Sequence, residues 1–392
     1  MDNFWEKSGW KEGDRHLTAL KIAPFRRPFP QLPSGPGLFV IRGPRQVGKS
    51  CWLKTILASA SPESISYISC ENIADYKELA EVLKSLRARS ILLFDEITFV
   101  KEWWRAIKHK LDSDDRVRII LTGSHSFDIA QGMDQMPGRW GKGGEFLLLP
   151  MDFFESTAMR TQAGWKSQGR IPDLEIYFKV GGFPTAVIES GESGKAPIEA
   201  MDTYQRWLLG DFIRAGKNAQ YLREILAQLA ITTTSTISLQ KVAQRTQIGS
   251  HNTAQNYIEL LEACFALKTL YAIDPNTGAP RFRKEKKFYF QDPLIYWIAL
   301  RWAGLAPPRN FNDQLAEMVA HEHLSRKFQH LGYYSDSKGE VDFYAHQRWA
   351  LEVKWKEIPD GLSATYRNLL CPEKIIWTKN NYLSEWPTAL TT

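Results

Sequence analysis

The chain has 392 residues, 43% hydrophobic and 24% charged, the balance of a globular protein and not of a disordered or fibrous one. Lysine and arginine number 50 against 44 acidic residues, a formal charge of +6 that permits contact with nucleic acid but does not require it. No run of about 18 uncharged apolar residues occurs, so no membrane span is expected. Residues 1–16 are charged throughout, so no signal peptide is expected. Cys51, Cys70, Cys264 and Cys371 form no C-x-x-C pair, which argues against a zinc knot or disulfide framework and fits a reducing cytoplasm.

Proline- and glycine-rich punctuation at 24–37, 157–172, 189–197 and 304–312 divides the chain. The expected units are an N-terminal approach segment (1–34), a core (35–156), a helical connecting region (157–215), a middle unit (216–303) and a C-terminal unit (304–392). In the core, the apolar runs Leu38–Ile41, Ile65–Ile68, Ile91–Phe94, Val117–Leu121 and Phe146–Leu149 predict buried strands. Helical patterns such as Ser50–Ala60 and Trp103–Leu111 fall between them. This alternation predicts an α/β fold with a parallel sheet covered on both faces.

The first strand runs into Gly43-Pro44-Arg45-Gln46-Val47-Gly48-Lys49-Ser50, which matches the P-loop pattern G-x-x-x-x-G-K-[ST] and opens a predicted helix. The glycines let backbone N–H groups turn toward phosphates, and the helix N-terminus adds partial positive charge. Gly43 to Ser50, with Cys51 behind them, are therefore the expected ATP-binding residues. Lys49 reaches the β- and γ-phosphates, and the Ser50 hydroxyl ligates Mg²⁺.

The strand Ile91–Phe94 ends in Asp95-Glu96. Asp95 is placed to hold the metal with Ser50, and Glu96 to polarise the attacking water. The next strand ends in Thr122-Gly123-Ser124, where either hydroxyl is placed to contact the water or the γ-phosphate. Arg139, in Met136-Pro137-Gly138-Arg139-Trp140, is a candidate cationic finger, acting within the chain or from another copy in a homo-oligomer.

In the middle unit, Ser238–Thr246 and His251–Ala263 have helical spacing around a glycine-containing turn, and two strands flank Asp274–Gly278. A helix-turn-helix followed by a hairpin is a winged helix. His251, Asn252, Thr253, Gln255 and Asn256 are its candidate base or phosphate contacts; Arg281, Arg283, Lys284, Lys286 and Lys287 are candidate phosphate contacts for DNA. The alternative use of such a module is protein packing.

The C-terminal unit carries Gly339-Glu340-Val341-Asp342-Phe343 and then Leu351-Glu352-Val353-Lys354. Glu352 and Lys354 share a strand face, and Asp342 joins them across a hairpin. Two carboxylates beside a lysine make a metal site with a cation for water or phosphate. This group resembles the PD-(D/E)xK nuclease core, with Glu317 as the acid supplied by a helix.

The ordered series GPRQVGKS, LLFDEITFVKEWW, ILTGSHS, PGRW and LLLPMDFFES resembles the AAA+ (P-loop) superfamily, in particular prokaryotic ATPases with a C-terminal domain of unassigned function. YFKVGGFPTAV, SLQKVAQRTQIGSHNTAQNYIELLEACFAL, KKFYFQDP and GEVDF followed by LEVKW continue the likeness. It implies a parallel-sheet P-loop AAA+ core, a winged-helix unit and a restriction-endonuclease-like α/β unit. The implied function is Mg²⁺-dependent ATP hydrolysis by a cytoplasmic, DNA-associated protein, with Asp342, Glu352 and Lys354 cutting DNA. The alternative is a nucleotide-controlled switch or scaffold with an inactive tail that binds partners.

Overall fold

Five short apolar runs build the first sheet: β1 (Gly37–Arg42), β2 (Ile65–Ser69), β3 (Ile91–Asp95), β4 (Arg118–Gly123) and β5 (Gly144–Leu147). The computed structural model describes residues 4–86, 89–359 and 361–384. The strands pair in parallel in the order β2-β3-β4-β1-β5. Alternate residues point to opposite faces. Phe39 and Ile41 therefore pack with Trp52, Leu53 and Leu57 of helix Lys49–Ser59. Leu38 and Val40 pack on the other face with Leu79, Leu83 and Ile107, from helices Tyr76–Ser85 and Trp104–Ser113.

β5 starts two residues earlier than its apolar run predicts, because pairing with β1 sets its register, from Phe39 opposite Gly144 to Arg42 opposite Leu147. Insertion of β4 between β1 and β3 matters most for function. It lines up the carboxyl ends of β1, β4 and β3 along one edge.

Helices Phe153–Gln162, Arg170–Val180, Pro184–Ser190 and Ile198–Arg214 form the connecting region. A capping box between Asp152 and Glu155 opens the first of them. Helix Ala219–Thr232 begins the middle unit, followed by Leu239–Gln244 and His251–Ala263. An antiparallel hairpin follows, β6 (Leu267–Tyr271) and β7 (Lys286–Phe290), and Ile237 bridges to Lys286 at its side.

In the C-terminal unit, helix Phe311–Lys327 precedes β8 (Gly332–Asp336), β9 (Gly339–Ala345), β10 (Trp349–Val353) and β11 (Glu373–Trp377). Their order is β11-β10-β9-β8, with only β10 and β11 parallel. The hairpin continues into this sheet. Ala272 bridges to Tyr333, the Ile273 amide donates to the Tyr333 carbonyl at 2.9 Å, and the Tyr333 hydroxyl donates to the Glu285 carbonyl at 2.5 Å. One hydrophobic cluster consequently runs from Trp5 through the middle unit to Leu383. Among the described residues no helix is long and apolar enough to cross a membrane.

Candidate functional site

The loop after β1 is shaped by close approach. A Cβ at Gly43 would lie 1.9 Å from the Leu148 carbonyl oxygen, where Leu148 pairs back onto Arg42. Gly48 has φ +104° and caps helix Lys49–Ser59 without a side chain, which leaves the first-turn amides facing the loop. Gly43→Ala is expected to force the loop off β5. Melting should drop by the equivalent of about 1–3 kcal/mol, and nucleotide titration should show weakened binding.

Lys49 is 4% exposed. Its ammonium donates to the carbonyls of Gly43 at 3.0 Å and Pro44 at 2.9 Å, and lies 3.5 Å from Glu96 Oε1. Burial pulls its pKa below the ordinary lysine value, against the opposing pull of Glu96. A cation held in such a loop, beside a helix N-terminus, is an arrangement that suits a polyphosphate.

Asp95 closes β3 and is 7% exposed. Oδ1 accepts from the Ser50 hydroxyl at 3.1 Å and the Thr122 hydroxyl at 2.6 Å, while Oδ2 accepts from the Tyr67 hydroxyl at 2.7 Å. Ser50 and Asp95 thus present hard oxygen donors side by side, the chemistry that suits Mg²⁺. Glu96 has φ +53°, an unfavourable left-handed backbone for a non-glycine residue. Its amide donates to Thr122 Oγ1 at 2.8 Å, and its Oε2 accepts from the Ser124 amide at 3.1 Å and hydroxyl at 2.9 Å.

The structure therefore brings Lys49, Ser50, Asp95, Glu96, Thr122 and Ser124 together. It gives the two hydroxyl residues separate partners, Thr122 on Asp95 and Ser124 on Glu96. Pro44, Gln46 and Val47 complete the loop, with Gln46 at φ +66°. Cys51 lies behind it, with Sγ 3.8 Å from His16 Nδ1, and burial pushes its thiol up to about 11.

The Arg45 guanidinium pairs with Asp211 of helix Ile198–Arg214 through contacts of 3.2 and 3.0 Å, and lies 4.5 Å from the Trp207 ring centre. Arg214 also pairs with Asp211 and covers Phe99. The connecting region is thereby tied to the loop. Tyr67, Trp207 and Asp211 were not read from the sequence, since only the β2–β3 register and the packing of a distant helix bring them here.

Arg139 lies away from the loop, contrary to the expectation of a finger acting within the chain. The chain returns beneath the sheet after helix Ser126–Asp134, and the Leu38 amide donates to the Trp140 carbonyl at 3.0 Å. Arg139 there pairs with Asp112 through contacts of 2.7 and 3.1 Å. The length of β1, about 20 Å at strand rise, separates it from the loop. Within one chain it is no finger.

In the middle unit, His251, Asn252, Gln255 and Asn256 are exposed, and Thr253 is bound to the capping Ser250. The basic strand is mostly committed elsewhere. Arg281 pairs with Asp274 at 2.6 Å, Lys286 donates to the Phe282 carbonyl at 2.8 Å, and Lys287 is buried. Phe282, Arg283 and Lys284 remain at the exposed tip.

Lys287 also changes the reading of the C-terminal unit. Its ammonium lies 2.9 Å from Glu317, 2.6 Å from Glu340 and 3.5 Å from Asp342. Burial opposes its charge, but Glu317, Tyr289, Asp342 and Glu340 outweigh burial and hold its pKa well above the ordinary lysine value. Tyr289 donates to Glu317 at 2.6 Å. Glu352 pairs with Lys354 at 2.7 Å, and burial and Asp342 push Glu352 up to about 7. Asp342 also accepts from the Val353 amide at 2.9 Å. Glu317, Asp342, Glu352 and Lys354 do converge, with Lys287 of β7 against Glu317 and Asp342 and Lys354 against Asp342 and Glu352. Among the described residues no group of three or more His, Cys, Asp or Glu is arranged to hold a metal ion.

Residues 36–157 match the family described as AAA domain, and residues 171–305 match a domain of unknown function (DUF8612). An uncharacterized protein of Methanocaldococcus jannaschii is 26% identical over 330 residues, covering 78% of this chain and 71% of the relative. The Walker-type ATPase of Pyrococcus abyssi has a TM-score of 0.49 at 16% identity, covering 74% of this chain and 95% of that one. The Aeropyrum pernix ORC2 protein has a TM-score of 0.42 at 12% identity, covering 79% of this chain and 92% of that one. The family match falls on the segment whose loop, strand order and carboxylate pair are described above, and supports an AAA-type P-loop core there.

Proposed function

We propose that the chain is a Mg²⁺-dependent ATPase acting as a nucleotide-controlled switch, with its C-terminal unit closed to DNA cleavage. The observation that carries this reading is the convergence of Lys49, Ser50, Asp95 and Glu96 on one sheet edge. The loop amides and Lys49 hold the β- and γ-phosphates of ATP. Ser50 and Asp95 hold Mg²⁺, which when bound neutralises charge on the phosphates. Thr122 and Tyr67 fix the Asp95 carboxylate. Ser124 fixes one oxygen of Glu96 and leaves the other, near Lys49, to orient water and take its proton. The Arg45–Asp211 pair supplies a route from the loop to the connecting region. Arg139 serves as a finger only across an interface between copies.

The closed C-terminal unit rests on Lys287, whose charge occupies the centre of the carboxylates. Supercoiled plasmid is expected to remain intact with Mg²⁺ and ATP while phosphate is released. Nicking by wild type that is lost in Lys354→Ala would overturn this part of the reading.

A DNA-associated switch is favoured by the exposed polar face of helix His251–Ala263 beside Phe282, Arg283 and Lys284. The helices, the Ile237 bridge and the hairpin follow one another as in a winged helix. The doubly reversed variant Arg283→Glu/Lys284→Glu is expected to weaken duplex binding at least tenfold at low salt and to flatten its salt dependence. Unchanged binding in a filter assay would remove DNA from the proposal and leave ATP turnover untouched.

A further inference from the structure

We propose that Arg45 is the residue by which the loop distinguishes a nucleoside triphosphate from a diphosphate, and that Asp211 holds Arg45 back until a γ-phosphate arrives. The inference rests on the nucleotide-binding reading of the loop and deepens it. It requires one side chain to change partners and leaves every helix in place.

The first support is position. Burial lowers the Lys49 pKa, and the nearby Arg45 charge lowers it further against the pull of Glu96. Burial likewise opposes the Arg45 charge, but Asp211 and Glu96 outweigh it and raise its pKa above the ordinary arginine value. Arg45 therefore lies within electrostatic reach of Lys49 and Glu96, the two groups that flank the place assigned above to the γ-phosphate. Arg45, Ser124, Trp207, Asp211 and Cys264 line one small cavity, and Ser124 is the residue that holds Glu96.

The second support is the make-up of the pair. Arg45 donates to Asp211 from Nε at 3.2 Å and from Nη2 at 3.0 Å. A planar fork that matches a carboxylate also matches a phosphate. Breaking a largely buried pair normally strands a charge. Here Arg214 also pairs with Asp211 and would keep it matched. The Trp207 ring centre lies 4.5 Å from the Arg45 guanidinium, and that of Phe99 lies 5.7 Å from it and 4.4 Å from Arg214. These rings offer Arg45 an aromatic face on which to turn. The Phe99 amide donates to the Glu96 carbonyl at 3.1 Å, so that face belongs to the turn that carries Glu96.

The consequence is a competition. A triphosphate must draw Arg45 from Asp211, and its apparent affinity falls by the fraction of chains in which Arg45 is held. A diphosphate leaves the pair intact and its affinity is unaffected by the hold.

The test is equilibrium binding of ADP and of a non-hydrolysable ATP analogue, both with Mg²⁺, to the full chain. Asp211→Asn keeps shape and removes charge. It is expected to bind the analogue about fivefold or more tightly than wild type and ADP within about twofold. Arg45→Gln should bind the analogue about fivefold or more weakly, again with ADP within about twofold. In the double variant the gain from Asp211→Asn should vanish, because no arginine is left to release. Trp207 supplies a readout that a merely structural pair would not move. The analogue, and not ADP, should change its emission, taken as the difference between wild type and Trp207→Phe. The proposal is overturned if Arg45→Gln or Asp211→Asn changes both nucleotides by the same factor, or if the Asp211→Asn gain survives loss of Arg45. Should Asp211→Asn not fold, the Arg45→Gln and Trp207 arms decide: equal loss for both nucleotides, or an emission change shared by ADP, overturns it. Absence of any nucleotide binding by wild type would remove the loop reading and this inference with it. Binding of both nucleotides with unaltered discrimination in the variants removes this inference alone.

Discussion

Lys49→Ala is expected to reduce ATP affinity and turnover together, by about 10²–10³-fold. The ammonium is buried, held by two loop carbonyls and faced by Glu96. Its loss removes the charged donor that the proposed site aims at the β- and γ-phosphates. A charge-assisted hydrogen bond contributes about 1.5–3 kcal/mol, and leaving Glu96 half-buried without its cation adds to that. Each 1.4 kcal/mol is about a tenfold change. Nucleotide titration by fluorescence and steady-state phosphate release would check the two effects. An alanine variant that binds ATP as tightly as wild type would contradict the assigned role of the loop.

Glu96→Gln is expected to separate the same two quantities in the opposite sense. Glutamine keeps an oxygen for Ser124 but cannot take a proton from water. Turnover should fall by about 10²–10⁴-fold, the range of general-base catalysis, while ATP binding stays within about threefold of wild type, a difference of about 0.7 kcal/mol. Equilibrium binding and single-turnover hydrolysis distinguish this result from that for Lys49→Ala. Equal loss of binding and turnover would make Glu96 a partner that positions Lys49 and not the base. Asp95 gives a useful contrast, since it accepts hydroxyls from Ser50, Thr122 and Tyr67, which tie it to the proposed metal position.

The phosphate site was legible because its parts are local. GPRQVGKS and the pair Asp95-Glu96 carry their geometry in a few consecutive residues, and the apolar runs before them give the strands to within one or two positions. What was missed depends on contacts distant in sequence. Tyr67 reaches Asp95 because β2 pairs with β3 in a register that no single strand encodes. Arg45 turns to Asp211 because a helix from the connecting region packs over the loop. Arg139 reads as a finger from its charge in Met136–Trp140, but the return of the chain to the amino end of β1 carries it to Asp112, away from the loop.

The lysines of the hairpin read as a phosphate-binding run because their charge is visible and their partners are not. Lys287 and Tyr289 alternate within KKFYF, which marks one face of a strand. Only the docking of that face onto Glu317 turns a basic strand into a buried ion cluster. In the C-terminal unit, Asp342, Glu352 and Lys354 do meet across β9 and β10, as their spacing suggests. The cation at their centre comes from outside the motif.

Phosphate release by the purified full chain, with ATP and Mg²⁺ and again with the Mg²⁺ chelated, tests hydrolysis at the Lys49, Asp95 and Glu96 site. Release is expected to depend on Mg²⁺ and on Glu96, at a rate above that of ATP in buffer. Absence of release from wild type, with ATP binding intact, would contradict hydrolysis at this site. The Lys49, Asp95 and Glu96 constellation would then serve nucleotide binding alone.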